Sequence, residues 1–179
     1  MADYQIVIAG FGGQGLLFSG KVLAYAALTE GRELSWLPSY GPEMRGGTAN
    51  CNVIISDSPV GSPIVQNPNV LMVMNTPSLD KYESTVRPGG KVFVDSSLIT
   101  RKLTRTDVEA YYIPATKLAA DMGMPTLANM LLLGAIIKAT GCVSDEAVLA
   151  GLNKVIPPKK ANLLDANLKA IQAGKDFLG

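Results

Sequence analysis

Residues 4–21 read Tyr-Gln-Ile-Val-Ile-Ala-Gly-Phe-Gly-Gly-Gln-Gly-Leu-Leu-Phe-Ser-Gly-Lys, and this stretch constrains the fold more than any other. Gln5 to Ala9 is a short apolar run of β-branched type with glycine beyond it, which reads as a buried parallel strand. Gly10, Gly12 and Gly15 reproduce a G-x-G-x-x-G spacing. Without side chains there, the chain can turn tightly, approach a ligand with its backbone and pack a helix closely. Leu16, Leu17, Leu23, Ala24 and Ala27 follow at roughly helical spacing, and Glu30-Gly31 ends that helix with a C-cap glycine. The orphan N–H groups at the helix start would face an anion.

Glu33 to Leu37 reads as a second strand, reached by a right-handed crossover if it lies beside the first as a parallel neighbour. A nicotinamide-binding unit wants an acidic residue at the end of that strand to hold the ribose, and Ser35-Trp36-Leu37-Pro38-Ser39 supplies none. The NAD reading weakens accordingly. Pro38 to Gly47, with two prolines and three glycines, reads as a shaped loop at the presumed carboxyl end of the second strand, where ligands bind in open α/β sheets. In it, Tyr40 offers a flat ring, Glu43 an acceptor and Arg45 a planar cationic fork, a set able to orient a polar or phosphorylated ligand. The alternative is a surface loop whose Glu–Arg pair contributes little.

Further strands are expected over Thr48–Ser56, Val70–Met74, Lys91–Asp95 and Tyr111–Ile113, the last edge-like because Pro114 follows. Cys51 falls on the apolar side of its strand and reads as a small core residue rather than a nucleophile. Thr76 is expected to cap a short helix with Pro77 at its first position; Asn75 beside it suits a capping or turn role better than a ligand contact. Asp95-Ser96-Ser97 puts polar groups at the edge where ligands bind. From Ala115 onward the pattern is helical: Thr116–Met122, Pro125–Thr140 with apolar residues on nearly every face and Asn129 as its odd polar member, a helix opened by Ser144, and Ala161–Phe177. These elements predict one α/β domain over residues 1–179, a three-layer α/β/α arrangement around a mostly parallel Rossmann-like sheet with a helical C-terminal third.

Composition sets limits on function. The 179 residues carry a net charge of +1 with scattered Lys and Arg, so no nucleic-acid footprint is expected. The apolar stretch from Met130 to Ile137 is too short to cross a bilayer, and strand character from Gln5 leaves no charged leader; no membrane association and a cytoplasmic location are expected. Two cysteines and no histidine cannot build a four-thiolate iron–sulfur cluster, a histidine-based zinc site or a Ser-His-Asp triad. No catalytic residue and no metal ligand is assigned to this chain.

Ile-Ala-Gly-Phe-Gly-Gly-Gln-Gly, then Pro-Ser-Tyr-Gly-Pro-Glu-Met-Arg-Gly-Gly-Thr-Ala-Asn-Cys, with Val-Asp-Ser-Ser at 94–97 and Ala-Asn-Met at 128–130, resembles the gamma subunit of 2-oxoacid:ferredoxin oxidoreductases over essentially the whole chain. The second motif is worded more like the 2-oxoglutarate or branched-chain enzymes than the pyruvate enzymes. The resemblance implies a multi-subunit enzyme that uses thiamine diphosphate, Mg2+, iron–sulfur clusters and coenzyme A (CoA), none of them held by this chain alone. The implied partners are thiamine-binding alpha and beta subunits, an iron–sulfur delta-type subunit and, through the complex, ferredoxin. Carried over to this sequence, Gly10, Gly12, Gly13, Gln14, Gly15, Ser39, Tyr40, Glu43 and Arg45 are the expected CoA or active-site-interface residues. A freestanding nucleotide- or CoA-binding module, and a purely structural subunit whose glycine loop packs on a partner helix, remain the alternatives.

Overall fold

The computed structural model describes residues 3–39 and 48–179. Its frame is a six-stranded sheet of β1 (Tyr4–Phe11), β2 (Glu33–Ser39), β3 (Thr48–Ser56), β4 (Val70–Val73), β5 (Lys91–Asp95) and β6 (Glu109–Ile113), in the order β2-β3-β1-β4-β5-β6. β1, β4, β5 and β6 pair in parallel, while β3 runs antiparallel to both β1 and β2. β2 therefore points the same way as β1 but is not its neighbour, so the condition set for a right-handed crossover between them is not met. The reason is the short connection between β2 and β3: antiparallel partners need only a tight link, whereas parallel neighbours need a crossover. β2 also runs on through Pro38 and Ser39, and its edge position tolerates the proline. β6 occupies the opposite edge, as Pro114 suggested.

Strand alternation divides the apolar residues between two sides of the sheet. Ile6, Ile8, Cys51, Val53, Ile55, Met72 and Phe93 lie beneath a layer of helices, and Val7, Ala9, Ile54, Leu71, Val73, Val92 and Val94 face a thinner layer of loops and one short helix. Complete burial of a side chain such as Phe93 contributes about 1.5–3 kcal/mol.

The helical side consists of α1 (Leu16–Thr29), α3 (Ala115–Asp121), α4 (Ala128–Thr140), α5 (Asp145–Val155) and α6 (Asn162–Phe177). Glycines set how closely these helices approach. A methyl at Gly151 of α5 would stand 2.8 Å from the Val22 carbonyl of α1, and methyls at Gly134 and Gly174 would overlap the Ile171 and Leu131 carbonyls across the α4–α6 contact. α4 is apolar all round because α6 covers it within the same chain. It begins at Ala128 rather than Pro125, since residues 125–127 form a turn. Gly31 and Gly141, both at positive φ, follow the ends of α1 and α4, and Ser144 Oγ accepts from the Ala147 N–H to cap α5.

On the other side, α2 (Thr76–Tyr82) is capped by Asn75, whose Oδ1 accepts from the Ser78 N–H at 2.8 Å; Thr76 is instead its first residue and Pro77 its second. A 3-10 turn (Glu83–Thr85) follows. The Glu83 carboxylate, largely buried, accepts from the Thr104 N–H and hydroxyl and the Arg105 N–H, and pairs with Arg101 at 2.9 Å. Burial alone would raise its pKa, but the hydrogen bonds from Arg105, Arg101 and Thr104 outweigh burial and hold it below the ordinary value. One carboxylate thus ties the segment between β5 and β6 to the turn that follows α2. Among the described residues no helix is long and apolar enough to cross a membrane.

Candidate functional site

Strands β1, β2, β4, β5 and β6 all end at one edge of the sheet, where the glycine loop begins and where Pro38 and Ser39, the described start of the second segment, lie. Phe11, the last residue of β1, is the register partner of Thr48, and Ser39, the last of β2, is the partner of Asn50. The glycine loop at 12–15 therefore leaves the sheet beside Ser39 and Thr48, the described residues on either side of 40–47. Tyr40, Glu43 and Arg45 lie outside the described residues; Ser39 is exposed at the end of β2.

The glycine loop owes its shape to two carboxamides. Gln14 Oε1 accepts from the Phe11 N–H at 2.6 Å, and its Nε2 donates to the Met74 carbonyl at 3.1 Å, joining the ends of β1 and β4. A Cβ at Gly10 would run into Gln14 Oε1 and stand 3.1 Å from Met74 Cβ. At the far end, Asn129 Nδ2 donates to the Gly15 carbonyl and to Ser19 Oγ, each at 3.0 Å, and a Cβ on Gly15 would lie 2.5 Å from that nitrogen. Gly13 and Gly15 have φ of 90° and 75°, a left-handed backbone that favours glycine. At Gly13 nothing lies within 4 Å of a Cβ built there. The loop is pinned at both ends and free in the middle.

Two helices begin beside it. α1, 14 residues long, starts after Gly15 and α4, 13 residues long, after Leu127; neither has a side-chain cap or an acidic residue in its first turn. Asn129 links the two starts. Their partial positive charge favours an anion, by about 0.3–1 kcal/mol per terminus.

The other polar residues of this edge are used within the protein. Asn75 caps α2 as described, leaving its Nδ2 buried without a hydrogen-bond partner. Asp95 is fully buried, its carboxylate accepting from the Ser97 N–H at 3.1 Å and from the Thr116 hydroxyl at 2.6 Å, so it fixes the turn after β5 and the start of α3. Cys51, as its sequence context suggested, is core: it is fully buried, its Sγ points at the Leu16 carbonyl, and burial pushes its pKa up to about 12. Such a thiol is no nucleophile. The sequence signalled Asn129 only as a polar residue in an apolar helix, since its partners are 110 and 114 positions away.

A family model described as pyruvate ferredoxin/flavodoxin oxidoreductase matches residues 5–177. The ketoisovalerate oxidoreductase subunit VorA of Methanothermobacter thermautotrophicus is 41% identical over 176 residues, covering 98% of this chain and 36% of VorA. The chain thus spans about a third of the length of that relative. Among solved structures, the gamma subunit of the keto/oxoacid ferredoxin oxidoreductase from Geobacter sulfurreducens superposes with a TM-score of 0.82 at 33% identity, covering 97% of this chain and 96% of that one. The 2-oxoglutarate:ferredoxin oxidoreductase from Magnetococcus marinus, solved with 2-oxoglutarate, coenzyme A and succinyl-CoA bound, gives 0.87 at 25% identity, covering 98% of this chain and 31% of that one.

Proposed function

This chain belongs to the pyruvate ferredoxin/flavodoxin oxidoreductase family, and from that premise we propose that it is the gamma component of a multi-subunit 2-oxoacid:ferredoxin oxidoreductase. In such an assembly a 2-oxoacid is oxidatively decarboxylated on thiamine diphosphate with Mg2+, the electrons pass through iron–sulfur clusters to ferredoxin, and the acyl group leaves on CoA. The thiamine centre belongs to alpha and beta subunits and the clusters to a delta-type subunit. This chain packs on the thiamine subunits and, through Gly10–Gly15 and the 39–47 segment with Tyr40, Glu43 and Arg45, shapes the entrance for CoA. The substrate is 2-oxoglutarate or a branched-chain 2-oxoacid. The work takes place in the cytoplasm.

The observation that carries the reading is the whole-length likeness to a gamma subunit, supported by the glycine loop starting beside Ser39 and Thr48, which flank the second signature segment. Magnitudes say why partners are needed. Two helix termini contribute about 0.6–2 kcal/mol toward an anion, while micromolar binding requires about 8 kcal/mol. Most of the affinity for CoA must come from other chains or from the 40–47 segment. The test is recovery of the tagged chain from its native cell. Stoichiometric co-purification of larger thiamine- and iron–sulfur-bearing chains is expected, and a monomer without them counts against the proposal. In the recovered complex, Arg45→Ala is expected to raise the KM for CoA.

A further inference from the structure

We propose that Gln14 is a positioning residue that holds the glycine loop in the shape needed for CoA before CoA arrives, an inference that rests on the assignment of this loop to the CoA entrance. Both ends of its carboxamide are committed inside the protein, to the Phe11 N–H at 2.6 Å and the Met74 carbonyl at 3.1 Å. The side chain therefore closes a ring over residues 11–14 and ties the end of β1 to the residue just past β4. The Gln14 N–H reaches back to the Phe11 carbonyl at 3.4 Å within the same ring.

The glycine at position 10 follows from this brace. Its missing Cβ makes room for Gln14 Oε1, so the first glycine of the spacing serves a protein amide where a dinucleotide fold would use it for the turn alone. Gly15 does the same for Asn129. Between the two braces the open space at Gly13 leaves the backbone accessible. A loop of this composition would otherwise sample many conformations, because glycine is the least restricted residue. Ordering it in advance removes that entropic cost from binding. The Gln14 side chain acts on CoA through the loop's shape, without touching it.

The test uses the assembled oxidoreductase carrying Gln14→Met, which keeps the length and loses both hydrogen bonds, and Gln14→Glu, which keeps an acceptor for Phe11 and sets an acceptor against the Met74 carbonyl. Hydrogen exchange of the peptide covering residues 9–17 is read with and without CoA, alongside KM for CoA, KM for the 2-oxoacid and kcat. The expected result is at least tenfold faster exchange in the loop for Gln14→Met and a KM for CoA raised about tenfold in both variants, with kcat and the 2-oxoacid KM moved less than twofold. A merely structural residue would lower stability and leave that split absent. Unchanged loop exchange in Gln14→Met overturns the brace. Faster exchange with an unaltered KM for CoA, in a wild-type complex whose loop CoA does protect, overturns the positioning role while sparing the CoA entrance. If CoA fails to protect the wild-type loop, the entrance itself is misassigned and the positioning role falls with it.

Discussion

On one side of the sheet Gly134 and Gly174 bring α4 and α6 so close that a methyl at either would overlap a carbonyl of the other helix; on the opposite side the buried Glu83 carboxylate gathers a loop by accepting three hydrogen bonds and pairing with Arg101. The α4–α6 crossing on the helical side is governed by volume. The loop held by Glu83 is sensitive to protons. The glycine loop lies where α1 of the helical side meets the end of the sheet, and it mixes both kinds of support: glycines where space is short, filled by amides rather than by backbone. A side-chain amide can shift by a few tenths of an ångström where a helix carbonyl cannot, so the loop should be more forgiving than the helix crossing.

Gly174→Ala should produce the largest loss, about 3 kcal/mol, or roughly 6–12 °C in Tm at 2–4 °C per kcal/mol, with the same loss at pH 7 and pH 4. A loss below about 1 kcal/mol, or one that changes with pH, would break the contrast between the two sides.

Glu83→Gln should cost about 2 kcal/mol at pH 7, the scale of hydrogen bonds to an ionised group. Its sign with pH follows from the lowered folded pKa. The stabilisation is complete above the unfolded value and disappears as pH falls through the folded one, because the wild-type carboxylate is then protonated as well. Urea unfolding at pH 7 and pH 3 should therefore show the variant and wild type converging at the acid end. A gap that persists at pH 3 would mean that packing, not charge, holds the loop.

Gly15→Ala should cost about 1–2 kcal/mol, the strain of a side chain in the left-handed region, with the Asn129 amide displaced from its 3.0 Å contact with the Gly15 carbonyl. A loss equal to that of Gly174→Ala would erase the distinction between amide-filled and backbone-filled glycines. At the bottom of the scale, Lys117→Ala removes an exposed pair with Asp121 and should change stability by less than about 0.5 kcal/mol.

The order of strands and helices was legible because each element announces itself locally: the β-branched run at Ile6–Ile8, the glycines after α1 and α4, and Ser144 before α5 all act within a turn of their own position. Strand pairing was less legible. Periodicity marks Glu33–Leu37 as a strand but does not say that β3 separates it from β1. The cap at Asn75 was displaced from Thr76 by one residue, within the uncertainty of any boundary drawn from residue preference. The glycine spacing identified the loop correctly as a close-approach turn, yet what approaches Gly10 and Gly15 is Gln14 and Asn129. Asn129 comes from the other end of the chain, and no local rule could have supplied it.

As one part of a shared catalytic assembly, this chain has a hand in CoA use only together with its partners. The direct measurement is ferredoxin reduction driven by a 2-oxoacid, assayed with the purified chain alone, with the thiamine and iron–sulfur subunits alone, and with all of them combined at several CoA concentrations. No turnover is expected from the isolated chain, and CoA-dependent turnover only when it joins the others. Turnover by the isolated chain, or full CoA-dependent activity in its absence, would contradict that shared role.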